Sequence, residues 1–175
     1  MKIRSVKFNV IMNFIYTVSS IIFPMITFPY VTRVLLVEGN GKVAAATSVI
    51  TYLTMIASLG IPTYGIRACA KVREDDRKLS KTVQELLLIN SVTTVITYAV
   101  FLLLLFTVPQ FQEEQSLYAV MSINILLNVV GVSWLYSALE QYAYITVRSL
   151  VFKILSIILM FLFVKEPADY VVYGG

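Results

Sequence analysis

Long apolar stretches separated by short polar or charged ones set out this chain. They cover 8–32, 43–64, 86–108, 117–139 and 146–164, and a sixth opens at about 170. The runs are continuous and do not alternate, which reads as helix and not as the strands of a membrane barrel. A helix needs about 20 apolar residues to cross a bilayer, and in lipid every backbone N–H and C=O must be paired within the chain. The expectation is an all-α, polytopic transmembrane bundle of about five complete spans plus the start of a sixth.

Breakers place the boundaries. Pro24 and Pro29 predict a kink in the second half of the first span, and Gly39, Asn40 and Gly41 predict a turn within 33–42. Pro62 and Gly65 mark the end of the second span, and Pro109 stops the third. Trp134 and Tyr136 suit an interfacial belt on the fourth. The fifth run is short and interrupted by Lys153, so its helix is expected to start earlier, near Tyr144. A basic start before the first run suggests a signal peptide, but that run is too long and has no small-residue cleavage site, so it reads as an uncleaved span. The six residues after 169 cannot make a span, so the chain is expected to be truncated.

The spans are not uniformly apolar. The first carries Asn9, Asn13, Thr17, Ser20, Pro24 and Thr27; the second Thr47, Thr51, Thr54 and Ser58; the third Asn90, Thr94 and Thr97; the fourth Asn124, Asn128 and Gly131. Steps of three and four put each set on one helical face. Small and hydroxyl residues let membrane helices pack closely, whereas mid-membrane Asn points to a water-lined cavity. Both readings stay open at this point. The cavity candidates are Asn13, Asn124 and Asn128, with the membrane-flanking cations Arg33, Arg148 and Lys153, for which snorkelling to the interface is the alternative.

Charge adds direction. Only 14% of the residues are charged, against 58% hydrophobic. A basic segment lies between the second and third spans and holds Arg67, Lys71, Arg73, Arg77, Lys78 and Lys81; it is expected to be a loop in water. Alternation places with it Lys2, Arg4, Lys7, Arg148 and Lys153. Arg33, Lys42 and Lys165 fall on the other side, so the split is eleven to three of the fourteen basic residues. Basic loops stay in the cytoplasm, which predicts a cytoplasmic N-terminus and a 109–116 loop outside.

Little chemistry competes with this reading. There is no histidine, and the single cysteine, Cys69, cannot form an internal disulfide. No basic face on a soluble domain suggests nucleic acid. Glu74, Asp75 and Asp76 are the one acidic run a lipid-phosphate transferase could use for metal, but Arg73, Arg77 and Lys78 flank them and predict a self-neutralising loop. No nucleophile–base set or phosphate loop is present. The expectation is a protein that is not an enzyme and needs no cofactor.

The stretch SLGIPTYGIR, Ser58 to Arg67, resembles the end of the second helix of Wzx-type polysaccharide flippases, of the same superfamily as the MATE exporters and MurJ. The FPYVTRVL stretch at 28–35, the EGNGK turn at 38–42, Trp134-Leu135-Tyr136, Leu139-Glu140-Gln141 and the 145–149 segment resemble that family in the same order. The chain departs at Leu36-Val37, where relatives show Gly-Pro before the Glu. The resemblance implies that residues 1–175 are the N-terminal transmembrane lobe of a larger two-lobe transporter in the inner membrane. It implies alternating-access transport of an isoprenoid-diphosphate-linked oligosaccharide for polysaccharide biosynthesis. Membrane lipid, that substrate and other polysaccharide assembly proteins would be its partners. A MATE-like small-molecule exporter and a membrane-embedded lipid-phosphate transferase are the alternatives.

Overall fold

The computed structural model describes residues 6–175, so Lys2 and Arg4 of the basic N-terminus lie outside the described residues. The elements are α1 (Val6–Ser58), α2 (Ile61–Lys71), α3 (Asp76–Thr107), α4 (Pro109–Glu113), α5 (Gln115–Val130), α6 (Ser133–Ala138), α7 (Tyr142–Phe163), a 3₁₀ turn (Pro167–Asp169) and α8 (Tyr170–Gly174). Among the described residues there is no strand, and the architecture is a helical bundle.

Four helical stretches among the described residues are long and apolar enough to cross a membrane: Lys7–Lys71, Asp76–Thr107, Gln115–Ala138 and Tyr142–Phe163. The protein is a multi-pass membrane protein. The first stretch has 65 residues. At a rise of about 1.5 Å per residue it would be about 98 Å long if straight, roughly three times the hydrocarbon thickness. It is not straight. Leu36, with φ 57° and ψ −172°, is the non-helical residue inside α1 and divides it into two helices. A second break follows at Leu59 (φ 43°) and Gly60 (φ 71°).

The first break falls inside the predicted 33–42 connection, at Leu36 and not at the turn residues Gly39, Asn40 and Gly41. Pro24 and Pro29 both lie inside helical backbone. Gly39, Asn40 and Gly41 are helical as well, and the kink sits at Leu36, in a region of backbone space that is almost exclusively glycine's.

The basic segment also differs from a loop. Ile61, Gly65 and Cys69, four residues apart, make a buried face on α2 that packs against α3 and α6. Pro62 sits in the first turn of α2, where its missing N–H costs nothing. Asp75 then caps α3, its Oδ1 accepting from the backbone N–H of Arg77 and Lys78, each at 3.1 Å. Only the short stretch from Val72 to Asp75 is left unwound. Likewise 109–113 forms α4.

Three apolar clusters hold the bundle. One joins Ile50, Leu53 and Ala57 of α1 to Phe101 of α3 and Leu117 and Ile125 of α5. A second joins Ile61 and Cys69 to Leu86, Trp134 and Ala138. Trp134 is thus core, 5% exposed, and not part of an interfacial belt. The third joins Val31 and Leu35 to Met160 and Val164 of α7, and the Tyr30 hydroxyl donates to the Val164 carbonyl at 2.8 Å. Large apolar side chains such as Phe14, Met25, Leu88, Val95, Phe106 and Phe152 remain exposed, as lipid contact requires.

Two sets of polar contacts sort the connections by end. Arg73, in the α2–α3 turn, pairs with Glu140, in the α6–α7 turn, at 2.7 Å. Lys42 pairs with Glu38 at 3.0 Å and with Glu114, between α4 and α5, at 2.9 Å. The Tyr170 hydroxyl donates to the same Glu114 at 2.8 Å. Burial pushes the Glu114 carboxyl up, but hydrogen bonds from Lys42 and Tyr170 outweigh it and hold the group below the usual carboxylate range.

Candidate functional site

The six candidate residues divide by helix. Lys153 lies within the apolar body of α7, half-buried. Its ammonium donates to Ser19 Oγ at 2.9 Å and Ser20 Oγ at 2.8 Å, and stands 5.3 Å from the centre of the Tyr16 ring. Both serines donate in turn to the Tyr16 carbonyl. A positive charge inside a membrane helix is therefore held by two hydroxyls and an aromatic face of α1. This is the arrangement a cation needs to remain at such depth.

Arg148, five residues earlier on α7, donates from Nη2 to Ser133 Oγ of α6 at 2.7 Å. Its guanidinium carbon lies 5.9 Å from the Tyr144 ring centre, and Tyr144 stacks on Tyr136 at 4.4 Å. Arg33 is exposed on α1, one turn before the Leu36 kink. Among the described residues no carboxylate pairs with Lys153, Arg148 or Arg33, nor with Lys7, Arg67, Lys71, Arg77 or Lys165, whereas Lys42, Arg73, Lys78 and Lys81 have acidic partners.

The asparagines separate. Asn13 and Asn124 are exposed, on α1 and α5. Asn128 is half-buried, and its Oδ1 accepts from Ser58 Oγ at 2.9 Å, joining α5 to the end of α1. The polar stripes divide in the same way. On α3, Asn90, Thr94 and Thr97 are all buried against the bundle, which is the packing arrangement. On α1, Asn13, Thr17, Ser20 and Pro24 are exposed while Asn9 and Thr27 are buried. A separate cavity of about 530 Å³ opens among α1, α5, α7 and α8. Its lining includes Phe23, Thr27, Val43, Thr47 and Ser156, and none of the six candidates.

Of the hydroxyls that hold the two cations, sequence reasoning named Ser20 in its polar stripe and missed Ser19 and Ser133. Ser19 is absent from the polar stripe, and Ser133 lies outside it. Their signal is weak: single serines, 134 and 15 residues from Lys153 and Arg148. The acidic run 74–76 is not gathered for metal chemistry, because Asp75 is committed to capping α3 and to Lys78, at 3.2 Å.

Comparison with known proteins follows the same line. The chain is 26% identical over 165 residues to a protein of Shigella dysenteriae, and 23% identical over 170 residues to one of Escherichia coli K12; both are provisionally named O-antigen transporters. The matches cover 94% and 97% of this chain but only 41% of each relative, so the chain spans less than half their length. No solved structure matches. The polysaccharide biosynthesis protein family matches residues 6–175, and the chain belongs to that family.

Proposed function

We propose that the chain is the N-terminal lobe of a transporter that moves an isoprenoid-diphosphate-linked oligosaccharide across the cytoplasmic membrane by alternating access. Membrane lipid and that lipid-linked substrate are its partners. The family and the names of the two relatives support polysaccharide transport. The observation that carries the finer reading is Lys153: a cation deep in an apolar helix, held by neutral hydroxyls and left without an acidic partner among the described residues. Such a charge is costly in lipid and marks a functional site by default, here read as a partner for the anionic cargo. Arg148 and Arg33 are further cations without an acidic partner among the described residues, and guanidinium suits diphosphate because its fork binds two oxygens at once. Exposed Asn13 and Asn124, with Asn128 at the α1–α5 junction, supply neutral polar lining.

The proposed topology has five crossings, with α1 counted as two at Leu36, and the N-terminus in the cytoplasm. In support, the Arg73–Glu140 pair joins the α2–α3 and α6–α7 turns, which the proposal assigns to one end of the bundle. The Lys42–Glu114–Tyr170 contacts join the region of the Leu36 kink, α4 and α8, which it assigns to the other. The basic residues concentrate at the first end.

The test is export in a cell lacking its own transporter of this kind. Lys153→Ala in the full-length protein should abolish surface polysaccharide at unchanged membrane abundance, and Lys153→Arg should keep part of it. Normal export by Lys153→Ala would remove the cation from the transport path.

A further inference from the structure

The outer face of α2 carries charge that the bundle does not neutralise. The inner face is Ile61, Gly65 and Cys69, packed against α3 and α6. Tyr64, Arg67 and Lys71 recur at steps of three and four on another face, and all three are exposed. α2 contains no acidic residue. Among the described residues no carboxylate pairs with Arg67 or Lys71, whereas the neighbouring Arg73 is held by Glu140 at 2.7 Å and Lys78 by Asp75 at 3.2 Å. Arg67 and Lys71 stand one turn apart, and like charges at that spacing repel. An anion between them removes the repulsion.

The helix is graded along its length. Tyr64 is 64% exposed and Ile66 38%, and no charge precedes them in α2. Arg67 and Lys71 follow, and the chain then enters the polar turn at 72–75. Exposed apolar side chains, then exposed cations, then a polar turn are the profile of a helix lying at a membrane interface. A surface cavity of about 580 Å³ opens where α2 ends, and its lining includes Lys71, Arg73, Asp75 and Lys78. Of its three cations, Lys71 has no carboxylate partner among the described residues.

We infer that the outer face of α2 is a docking surface for an anionic phospholipid. Arg67 and Lys71 meet the head-group phosphate, and Tyr64 and Ile66 meet the glycerol and the upper part of the acyl chains. The arginine fork takes two phosphate oxygens at once and the lysine adds a point charge. Cations clustered beside a membrane helix attract anionic head groups in this manner. The apolar pair one turn before the cations selects a lipid over a free phosphate ion, which makes no use of it. Neither the transported cargo nor Lys153 enters this contact.

The probe is phosphatidylglycerol, offered with phosphatidylcholine of the same acyl chains to the full-length protein in detergent, with retained lipid read by native mass spectrometry. Wild type should retain phosphatidylglycerol in preference. Arg67→Gln with Lys71→Gln should weaken that retention by roughly thirtyfold, about fivefold for each cation lost. Arg67→Lys with Lys71→Arg, which keeps both charges, should preserve it. If the double glutamine variant does not fold, each single variant must show the fivefold loss. Arg77→Gln with Lys81→Gln, on α3, should change retention little, and excess inorganic phosphate should not displace the lipid. Unchanged retention in Arg67→Gln with Lys71→Gln overturns the proposal. An equal loss in the α3 pair overturns it too, because the preference would then follow overall charge. Displacement by inorganic phosphate does the same, leaving a site for a free anion.

Discussion

The Trp134 ring occupies the space that a side chain at Gly65 would need: a Cβ there would lie 2.6 Å from Trp134 Cε3. This contact locks α2 against α6 and pins the basic segment to the bundle. Gly65→Ala should therefore destabilise the fold by about 1–3 kcal/mol, the usual cost of overpacking a filled core. Trp134 is the only tryptophan, so its fluorescence reports the unfolding directly. Followed by circular dichroism, Gly65→Ala should cost less in a Trp134→Leu background than in wild type, as coupled neighbours do.

At Leu36 the opposite substitution should help. The residue holds φ 57° and ψ −172°, a conformation that costs a residue with a Cβ on the order of 1–3 kcal/mol. Glycine removes that strain at an added chain-entropy cost of roughly 0.5–1 kcal/mol. Leu36→Gly should raise the unfolding temperature in detergent. A lowered temperature would show that the 56% exposed Leu36 side chain matters more than its backbone.

Glu114 should make one end of the bundle sensitive to acid. An unfolded glutamate titrates at about 4.3, and the folded group sits lower because hydrogen bonds from Lys42 and Tyr170 outweigh its burial. The stability this supplies is full above the unfolded pKa and is lost as the pH falls through the folded one. Wild type should thus exceed Glu114→Gln in unfolding temperature near neutral pH, and the gap should close below about pH 4. A gap independent of pH would assign the contact to shape alone.

Alkaline phosphatase fused after Gln112 should be active and fused after Arg77 inactive, as an N-terminus in the cytoplasm requires. The reverse pattern would invert every side assignment, while leaving the pairing of ends by Arg73–Glu140 and Lys42–Glu114 intact.

The helical bundle was legible in the apolar runs, because continuous hydrophobicity at membrane length admits few other structures. Lys153 was visible as a charge interrupting such a run, but by sequence alone snorkelling was the simpler account of it. Ser20 stood in the polar stripe of the first span, but its pairing with Lys153, and Ser19 altogether, were hidden, since a contact across 134 residues leaves no local pattern. The connection at 33–42 was legible, but its break was expected at Gly39, Asn40 and Gly41, because leucine carries no breaker signal of its own. The basic segment read as loop because its charges drew attention from the Ile61, Gly65 and Cys69 spacing that makes α2 a packed helix. The polar stripes alone could not distinguish packing from cavity: on α3 the face turned inward, and on α1 much of it stayed exposed.

The central claim is that this lobe carries an anionic lipid-linked saccharide past Lys153. The most direct measurement is flipping of a fluorescent isoprenoid-diphosphate oligosaccharide by the full-length protein in vesicles, read as loss of label accessible to an external quencher. Wild type should equilibrate the label across the bilayer, Lys153→Arg should do so more slowly, and Lys153→Ala should match protein-free vesicles. Wild-type rates equal to those of protein-free vesicles, or Lys153→Ala rates equal to wild type, would contradict the account.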